Sequence, residues 1–279
     1  EPLNILNLLR QVAINALIAF GMTFVILTGG IDLSVGAILA LSSALIAGMI
    51  AGGIDPVFAV IIGCLIGALL GLVNGLLITK GKMAPFIATL ATMTIFRGLT
   101  MVYTDGNPIT GLGNHYGFQL FGRGYFLGIP VPAITMAAAF IILWVILHKT
   151  PFGRRTYAIG GNEKAALISG IKVPRVKMMI YSLAGLLSAL AGAILTSRLN
   201  SAQPTAGTSY ELDAIAAVVL GGTSLAGGRG RIAGTLIGVL IIGTLNNGLN
   251  LLGVPSFFQM VVKGVVILIA VLLDRKKSA

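Results

Sequence analysis

The residue types that most often perform catalysis are few in this sequence, and they stand far apart. Its one cysteine, Cys64, lies inside an apolar run, and its two histidines, His115 and His148, have no Cys or His neighbour at metal-ligand spacing. Neither a G-x-S-x-G motif nor an H-E-x-x-H motif occurs. The sequence therefore predicts that the chain is not an enzyme by itself and that it holds no metal ion or cofactor.

The sequence also lacks a phosphate-binding loop. The closest approach is Gly81-Lys82, but Met83 follows where the motif needs Ser or Thr, and no glycine stands five residues before Gly81. The chain is therefore not expected to bind ATP through a Walker motif. If its work is driven by ATP, a separate subunit must bind and hydrolyse the nucleotide.

Four charged residues lie in or beside long apolar runs. Glu211 and Asp213 open one run, where negative charge suits the first turn of a helix. Arg97 and Lys263 lie within two other runs, and each can extend its charged end toward water or pair with an acid. Neither cation alone defines a path for protons or metal ions through a membrane.

Asp32 and three asparagines are the polar residues that can be expected to meet a transported solute. Asp32 suits the N-cap of a helix that begins near Val35, which is a structural alternative to a place on a transport path. Asn74, Asn246 and Asn247 either line a polar route or bond across helices, and the sequence leaves both interpretations open. These four polar residues are our candidates for a translocation path.

The elements that position these residues are hydrophobic along nearly the whole chain. Of 279 residues, 56% are hydrophobic and 10% are charged, whereas soluble domains carry about 25% charged residues. The mean hydropathy of +0.99 agrees with an integral membrane protein. The net charge of +11 does not indicate nucleic acid, because the basic residues lie between hydrophobic runs rather than along one face.

The apolar runs predict an all-α polytopic membrane protein with about nine transmembrane helices in this chain. The seventh run is short and ends in Gly221-Gly222, so it is either a broken span or an amphipathic helix in the membrane plane. The predicted spans are residues 11–29, 35–53, 57–79, 84–104, 130–148, 178–197, 211–227, 232–250 and 257–273.

The distribution of basic residues predicts the orientation of these spans. Nine spans with the C-terminus inside place fourteen basic residues on the cytoplasmic side and Glu1 outside. That outside start favours one further N-terminal helix, which gives ten spans in the full-length protein. The fourteen residues are Lys80, Lys82, Lys149, Arg154, Arg155, Lys164, Lys172, Arg175, Lys177, Arg229, Arg231, Arg275, Lys276 and Lys277.

Glycines recur every fourth residue on two of the predicted helices. One stripe runs through Gly63, Gly67, Gly71 and Gly75, and a shorter one through Gly234 and Gly238. Small residues let helix backbones approach closely in lipid, so the stripes indicate helix packing, with a glycine-lined pore as the alternative.

The loop 149–177 is the longest basic loop, and it contains its own helix signal. Gly160, Gly161 and Asn162 predict a turn, and Asn162 suits the N-cap of a short helix, 163–169, which Gly170 ends. Such a helix on the cytoplasmic side is either a docking element for a soluble partner or a connection held at the lipid headgroups.

Three stretches of the sequence resemble a known family. They read GGIDLSVG at 29–36, YAIGGNE at 157–163 with SGI at 169–171, and SAQPTAG at 201–207 with YELDAIAAVVLGGTSL at 210–225 and NNGLNLLG at 246–253. On these motifs the chain closely resembles the ribose-type permeases of bacterial ATP-binding-cassette importers. The third stretch is most similar to the ribose branch, although another pentose, a hexose or a signalling sugar stays open.

The resemblance implies a fold and a set of partners. It implies a single transmembrane permease domain over 1–279, ten spans in the full-length protein, and a homodimer with the translocation path between its copies. It further implies a cytoplasmic ATPase subunit that holds the ATP, a periplasmic sugar-binding protein, and the lipid of the bacterial inner (plasma) membrane, with no nucleic acid.

The resemblance also implies a mechanism of alternating access, in which ATP binding and hydrolysis on the ATPase move the spans. Specificity would lie mostly with the delivery protein, so no deep, strongly polar sugar site is expected. The family's coupling helix falls in the loop 149–177, and the residues it implies for contact with the ATPase are Gly160, Gly161, Asn162, Glu163, Ala165, Ala166, Ser169 and Gly170.

Two other classes of transporter remain as alternatives at this point. An ion-coupled secondary sugar carrier would need an ionisable group in mid-membrane and would work without a partner ATPase. A passive channel would carry solute with no energy source. A membrane enzyme has no residues to support it.

Overall fold

The computed structural model describes the backbone of residues 2–278 and the side chains of 4–255, 257–269 and 271–272. Glu1, and the side chains of the basic C-terminal residues Arg275, Lys276 and Lys277, lie outside the described residues.

Helices form most of the chain, and one short antiparallel hairpin joins α5 to α6. The hairpin strands are β1 (Tyr125–Phe126) and β2 (Ile129–Pro130). The helices found in residues 2–278 are α1 (Pro2–Leu27), α2 (Val35–Ala51), α3 (Pro56–Thr79), α4 (Pro85–Thr104), α5 (Tyr116–Arg123), α6 (Val131–Lys149), α7 (Pro151–Gly161), α8 (Glu163–Ile168), α9 (Val173–Leu199), α10 (Tyr210–Leu220), α11 (Ile232–Leu251) and α12 (Ser256–Ser278).

Each of the nine predicted spans coincides with one of these helices, which confirms an all-α polytopic membrane protein. Among the described residues, six helices are long and apolar enough to cross a membrane: α1, α3, α4, α6, α9 and α11. The apolar part of α12 and the whole of α2 are shorter. Helix α10 has 11 residues and rises about 16 Å, half of a hydrocarbon core. The count of nine crossings therefore stays a prediction.

The bundle is built around α1 and α9. Helix α1 packs against α6, α9, α10 and α11, and its side chains from Val12 to Leu27 are almost all buried. Helices α3, α4 and α6 instead bury one face and expose the other, which carries large apolar side chains such as Leu65 on α3 and Ile141 on α6. An apolar outer face is what lipid requires of a helix at the rim of a bundle.

Three glycines of the longer stripe, Gly67, Gly71 and Gly75, form a seam between α3 and α9, whereas Gly63 faces Ile46 on α2. A methyl group at Gly71 would overlap the Tyr181 carbonyl, and one at Gly75 would stand 2.7 Å from the Cα of Met178. The shorter stripe, Gly234 and Gly238, forms a second close contact between α10 and α11, where a methyl group at Gly238 would overlap the carbonyl of Ala217. The stripes are therefore packing surfaces, as predicted.

Helix α10 starts in the middle of the bundle rather than at its surface. The loop 200–209 descends from the end of α9, and Gly207 lies against Gly36 at the beginning of α2. From there α10 runs to Leu220, and the following loop reaches the end that carries α7, where the Gly228 N–H donates to the Leu27 carbonyl at 2.8 Å. The seventh predicted span is thus a half-length helix that ends just before Gly221.

Candidate functional site

Two of the candidate path residues, Asp32 and Asn74, belong to one buried polar network. Oδ1 of Asp32 accepts from the N–H of Ser34 at 2.9 Å and from its hydroxyl at 2.6 Å. The Asn74 amide donates to the Ser34 hydroxyl at 2.7 Å and accepts from the Thr92 hydroxyl at 2.6 Å. Helix α2 begins at Val35 as predicted, but its N-cap is Ser34, and Asp32 binds that residue instead.

This network ties the start of α2 to α3 and α4. Asp32, Ser34, Asn74 and Thr92 are each 2% exposed or less, so no water-filled passage reaches them in this conformation. Of the two interpretations of Asn74, its geometry agrees with bonding across helices.

Asn246 and Asn247 lie apart from that network, near the far end of α11. Asn246 is buried, and within the described part of the chain its Oδ1 has no hydrogen-bond partner. Asn247 is half-buried. The structure therefore does not bring the four candidate path residues together.

The four charged residues of the apolar runs do meet, around the first turn of α10. Nζ of Lys263, on α12, lies 2.9 Å from Oδ2 of Asp213. On the other side, Nη1 of Arg97 donates to the carbonyls of Pro204 and Ala206 at 2.8 Å each. Both cations thus tether the segment 200–213, one through a carboxylate and one through backbone carbonyls.

A cavity of about 270 Å³ adjoins this cluster, between α2, α4 and the start of α10. Arg97 stands about 18 Å along α4, since each of the 12 residues from Pro85 to it adds about 1.5 Å. The cavity therefore lies near mid-depth. It is lined by Ala37, Met93, Thr94, Arg97, Thr208, Ser209 and Glu211.

The basic loop 149–177 contains two complete helices, of which the sequence predicted only the second, and the beginning of α9, which starts at Val173. Helix α7 begins after Thr150, whose hydroxyl accepts from the N–H of Gly153 at 3.5 Å, with Pro151 in its first turn. The predicted turn at 160–162 is shorter than expected, because Gly160 and Gly161 belong to the last turn of α7. Gly160 must approach closely there, since a methyl group on it would overlap the Leu27 carbonyl.

Helix α8 agrees with its prediction to within one residue. The side chain of Asn162 caps it by accepting from the N–H of Ala165 at 3.0 Å. The helix ends at Ile168, with Ser169 as its C-cap, and Gly170 follows with φ +83°. Of its side chains only Ala166 is buried. Glu163 is joined to Lys177 on α9 by a 2.7 Å ion pair.

Two apolar side chains of α8 project into solvent. Leu167 is 60% exposed and Ile168 is 87% exposed. Exposed basic residues stand close to them in the sequence, including Lys164 and Lys172. Exposed apolar side chains at the basic end of a bundle form a surface suited to a protein partner.

Helix α7 joins α8 to the transmembrane core. The hydroxyl of Tyr157 donates to the carbonyl of Gly230 at 2.7 Å, in the loop between α10 and α11. Burial raises the pKa of Tyr157, and the nearby Arg231 opposes that shift. A force on α8 can therefore pass through α7 to α1 and to the loop that follows α10.

Comparison with known proteins identifies the class of this bundle. The family model described as "Branched-chain amino acid transport system / permease component" matches residues 4–271. The chain belongs to this permease family. It is a multi-pass permease of the bacterial inner membrane and is not catalytic by itself, as the sequence predicted.

Individual relatives agree with the family match and confirm the resemblance drawn from the sequence motifs. The permease is 89% identical to the ribose import permease RbsC of Bacillus subtilis over 279 residues, which are 100% of this chain and 87% of that protein. It is 60% identical to RbsC of Haemophilus influenzae and 56% identical to RbsC of Escherichia coli K12. These alignments cover 97% and 99% of this chain, and 84% and 86% of the relatives. No solved structure matches the chain.

Proposed function

We propose that this permease is the membrane-spanning subunit of an ATP-driven ribose importer. The observation that carries the proposal is the 89% identity to a ribose import permease over the whole chain. The remaining parts of the importer are a cytoplasmic ATPase that binds ATP and a periplasmic binding protein that delivers ribose. The family description agrees with this division, because a permease component is one part of a larger transport system.

The proposed assembly contains two copies of the permease, with the path between them. Each copy is one transmembrane domain over 1–279 that crosses the membrane nine times. In this arrangement the segments beside α2 and α10 complete two of the crossings. The basic loop 149–177 then faces the cytoplasm, in agreement with the orientation that basic residues favour.

The proposed docking element for the ATPase is the loop 149–177, with α8 at its tip. Leu167 and Ile168 supply its apolar contact, and the exposure of nearly every α8 side chain supports a surface that a partner covers. Of the residues that the resemblance implies for this contact, Gly161, Asn162, Glu163, Ala165, Ser169 and Gly170 are exposed and are proposed to meet the ATPase. Gly160 packs against Leu27 and Ala166 is buried, so these two support the segment from inside. The Glu163–Lys177 pair orients α8 on α9.

Proteoliposomes provide the test. The permease is reconstituted with its ATPase and internal ATP, and uptake of radiolabelled ribose is measured with the binding protein outside. Uptake should require ATP and all three proteins. Ile168→Asp should lower it more than tenfold and release the ATPase from the purified complex, whereas Ile168→Leu, which keeps the apolar contact, should retain both.

Two other outcomes of this uptake experiment would change the proposal. Ribose entry through the permease alone, without ATP, would replace this proposal with a carrier or a channel. Uptake of a different pentose or a hexose in preference to ribose would keep the importer and change its substrate. Nothing in the comparisons favours the ion-coupled carrier.

A further inference from the structure

The cavity beside α10 lies near the middle of the membrane, where exposed polar groups are energetically costly. The loop 200–209, which is not helical, reaches mid-depth, where Gly207 contacts Gly36. Non-helical backbone is tolerated at that depth only when protein buries it or when it lines a water-filled space. Thr208, in this loop, is exposed, as is Thr94 on the facing helix α4. Their hydroxyls donate to the backbone carbonyls of Thr205 and Leu90, at 2.7 Å and 3.1 Å, and each oxygen can still accept a hydrogen bond.

The charged groups of the cavity have donors and acceptors to offer a solute. Arg97 uses Nη1 for the two loop carbonyls, which leaves Nε and Nη2 to donate elsewhere. Glu211, in the first turn of α10, also lines the cavity, and a methyl group on Gly36 would stand 2.9 Å from its Oε2. Ionisable side chains at such depth usually mark a path for solutes or ions.

The size and the chemistry of the cavity fit a monosaccharide. Its volume of about 270 Å³ is slightly below the ~300–1,000 Å³ of sites for drug-sized ligands. It offers a guanidinium donor, a carboxylate acceptor and three hydroxyl oxygens that can accept, of which those of Thr94 and Thr208 already donate to backbone carbonyls. A sugar hydroxyl both donates and accepts, so each group has a partner on a pentose.

We propose that the cavity formed by Thr94, Arg97, Thr208, Ser209 and Glu211 is a contact site for the sugar on its way through the membrane. The proposal rests on the proposed import function and gives it a place in the fold. The site is small and open, as a point of passage requires, and it differs from the path residues that the sequence suggested.

The first experiment removes one hydroxyl without changing the shape of its side chain. Thr94→Val should lower kcat/KM for ribose uptake roughly fivefold, the effect expected for one lost hydrogen bond. Thr135→Val is the matched control, because both hydroxyls bond the carbonyl four residues earlier, at 3.1 Å for Thr94 and 3.0 Å for Thr135. The control variant should transport ribose like the wild type, and both variants should keep the wild-type rate of ATP hydrolysis.

The second experiment asks directly whether water fills the cavity. With Cys64 replaced by alanine, Thr94→Cys should react with a small water-soluble methanethiosulfonate at least tenfold faster than Ile95→Cys. Ile95 lies at the same depth of α4 but on its exposed apolar face, where a thiolate would find no water. Ribose supplied with the binding protein and ATP should slow the reaction at position 94.

The outcomes separate this proposal from the proposed function. If the wild-type complex imports ribose but Thr94→Val does too at full efficiency, and the thiol of Thr94→Cys is unreactive or is not protected by ribose, the cavity is not on the route. If the wild-type complex imports no ribose, the proposed function fails, while rapid labelling at position 94 would still establish a hydrated cavity.

Discussion

Two regions of this permease are held together by opposite means. Helices α3 and α9 meet along a seam of glycines in which backbones touch, and Gly67, Gly71 and Gly75 leave no room for a methyl group. The segment 200–213 touches other backbone at Ala202 and Gly207, but it is also held by side chains that reach across gaps, namely Arg97 to its carbonyls and Lys263 to Asp213. Close-packed interfaces resist deformation, whereas a few polar contacts can be exchanged for contacts with water or solute.

The difference indicates which part of the molecule can change during transport. The seam gives α3 and α9 one fixed arrangement, so they serve as a frame. Helix α10 is close-packed on α11 at Gly234 and Gly238, so the part that can change is the segment 200–213 at its start, where the ion pair to α12 can open. A structure that must expose a path first to one side and then to the other needs both kinds of region.

The largest expected effect comes from breaking the frame. Gly71→Ala should lower the free energy of unfolding by about 3 kcal/mol, the upper end of the usual cost of overpacking, because the new methyl group overlaps a backbone atom, the Tyr181 carbonyl oxygen. Gly98→Ala is the control, since no atom lies within 4 Å of a methyl group at that position of α4. Thermal unfolding of both variants in detergent measures the difference. Equal midpoints would mean that the seam adapts and is not a rigid frame.

The frame is also the part that the sequence predicted well. Spacing of four between glycines is a local property of one helix, and it indicated the packing of Gly63 through Gly75 without any knowledge of the partner. Apolar runs likewise located nine of the helices, although not the short length of α10, and the Asn162 cap located α8. Helix α7 was missed, although Thr150-Pro151 is a recognisable start of a helix.

The region around α10 could not be predicted in the same way. The contacts of Arg97 are made with carbonyls more than a hundred positions away, and those of Lys263 with an acid 50 positions away. No local sequence pattern predicts contacts between residues so far apart in the chain. The cavity depends on where the loop 200–209 folds back, which is set by Gly36 and Gly207 lying against each other. Candidates for the path were therefore selected by residue type, and the structure separates them.

A medium effect is expected when the ion pair beside α10 is broken. Lys263→Met leaves the Asp213 carboxylate, which is 7% exposed, without its partner. The loss should be about 2 kcal/mol, less than the ~3–5 kcal/mol of fully buried pairs, because the Lys263 side chain is 29% exposed. Adding Asp213→Asn should restore part of the stability, since a neutral amide replaces the isolated charge.

A double-mutant cycle on unfolding midpoints measures the coupling between Lys263 and Asp213. Losses that simply add would show that the two side chains do not interact in the folded permease. The same variants also test the contrast with the seam. The Lys263 and Asp213 variants should lower ribose uptake strongly even at temperatures where they stay folded. Gly71→Ala should lower uptake only to the extent that it unfolds the permease.

The smallest effect on stability is expected at the Glu163–Lys177 ion pair of the docking element. This pair is as short as the Lys263–Asp213 pair beside α10, so the two differ mainly in exposure to water. Glu163 is 53% exposed and its partner Lys177 is 14% exposed, with 2.7 Å between them. Water and salt screen such a pair, so Glu163→Gln should change the free energy of unfolding by less than about 1 kcal/mol. Raising the ionic strength should weaken this pair further and leave the pair beside α10 nearly unchanged. Measuring unfolding midpoints of Glu163→Gln and Lys263→Met at low and high salt checks both statements.

A loss at Glu163 as large as that at Lys263 would mean that α8 is part of the folded frame rather than an exposed docking helix.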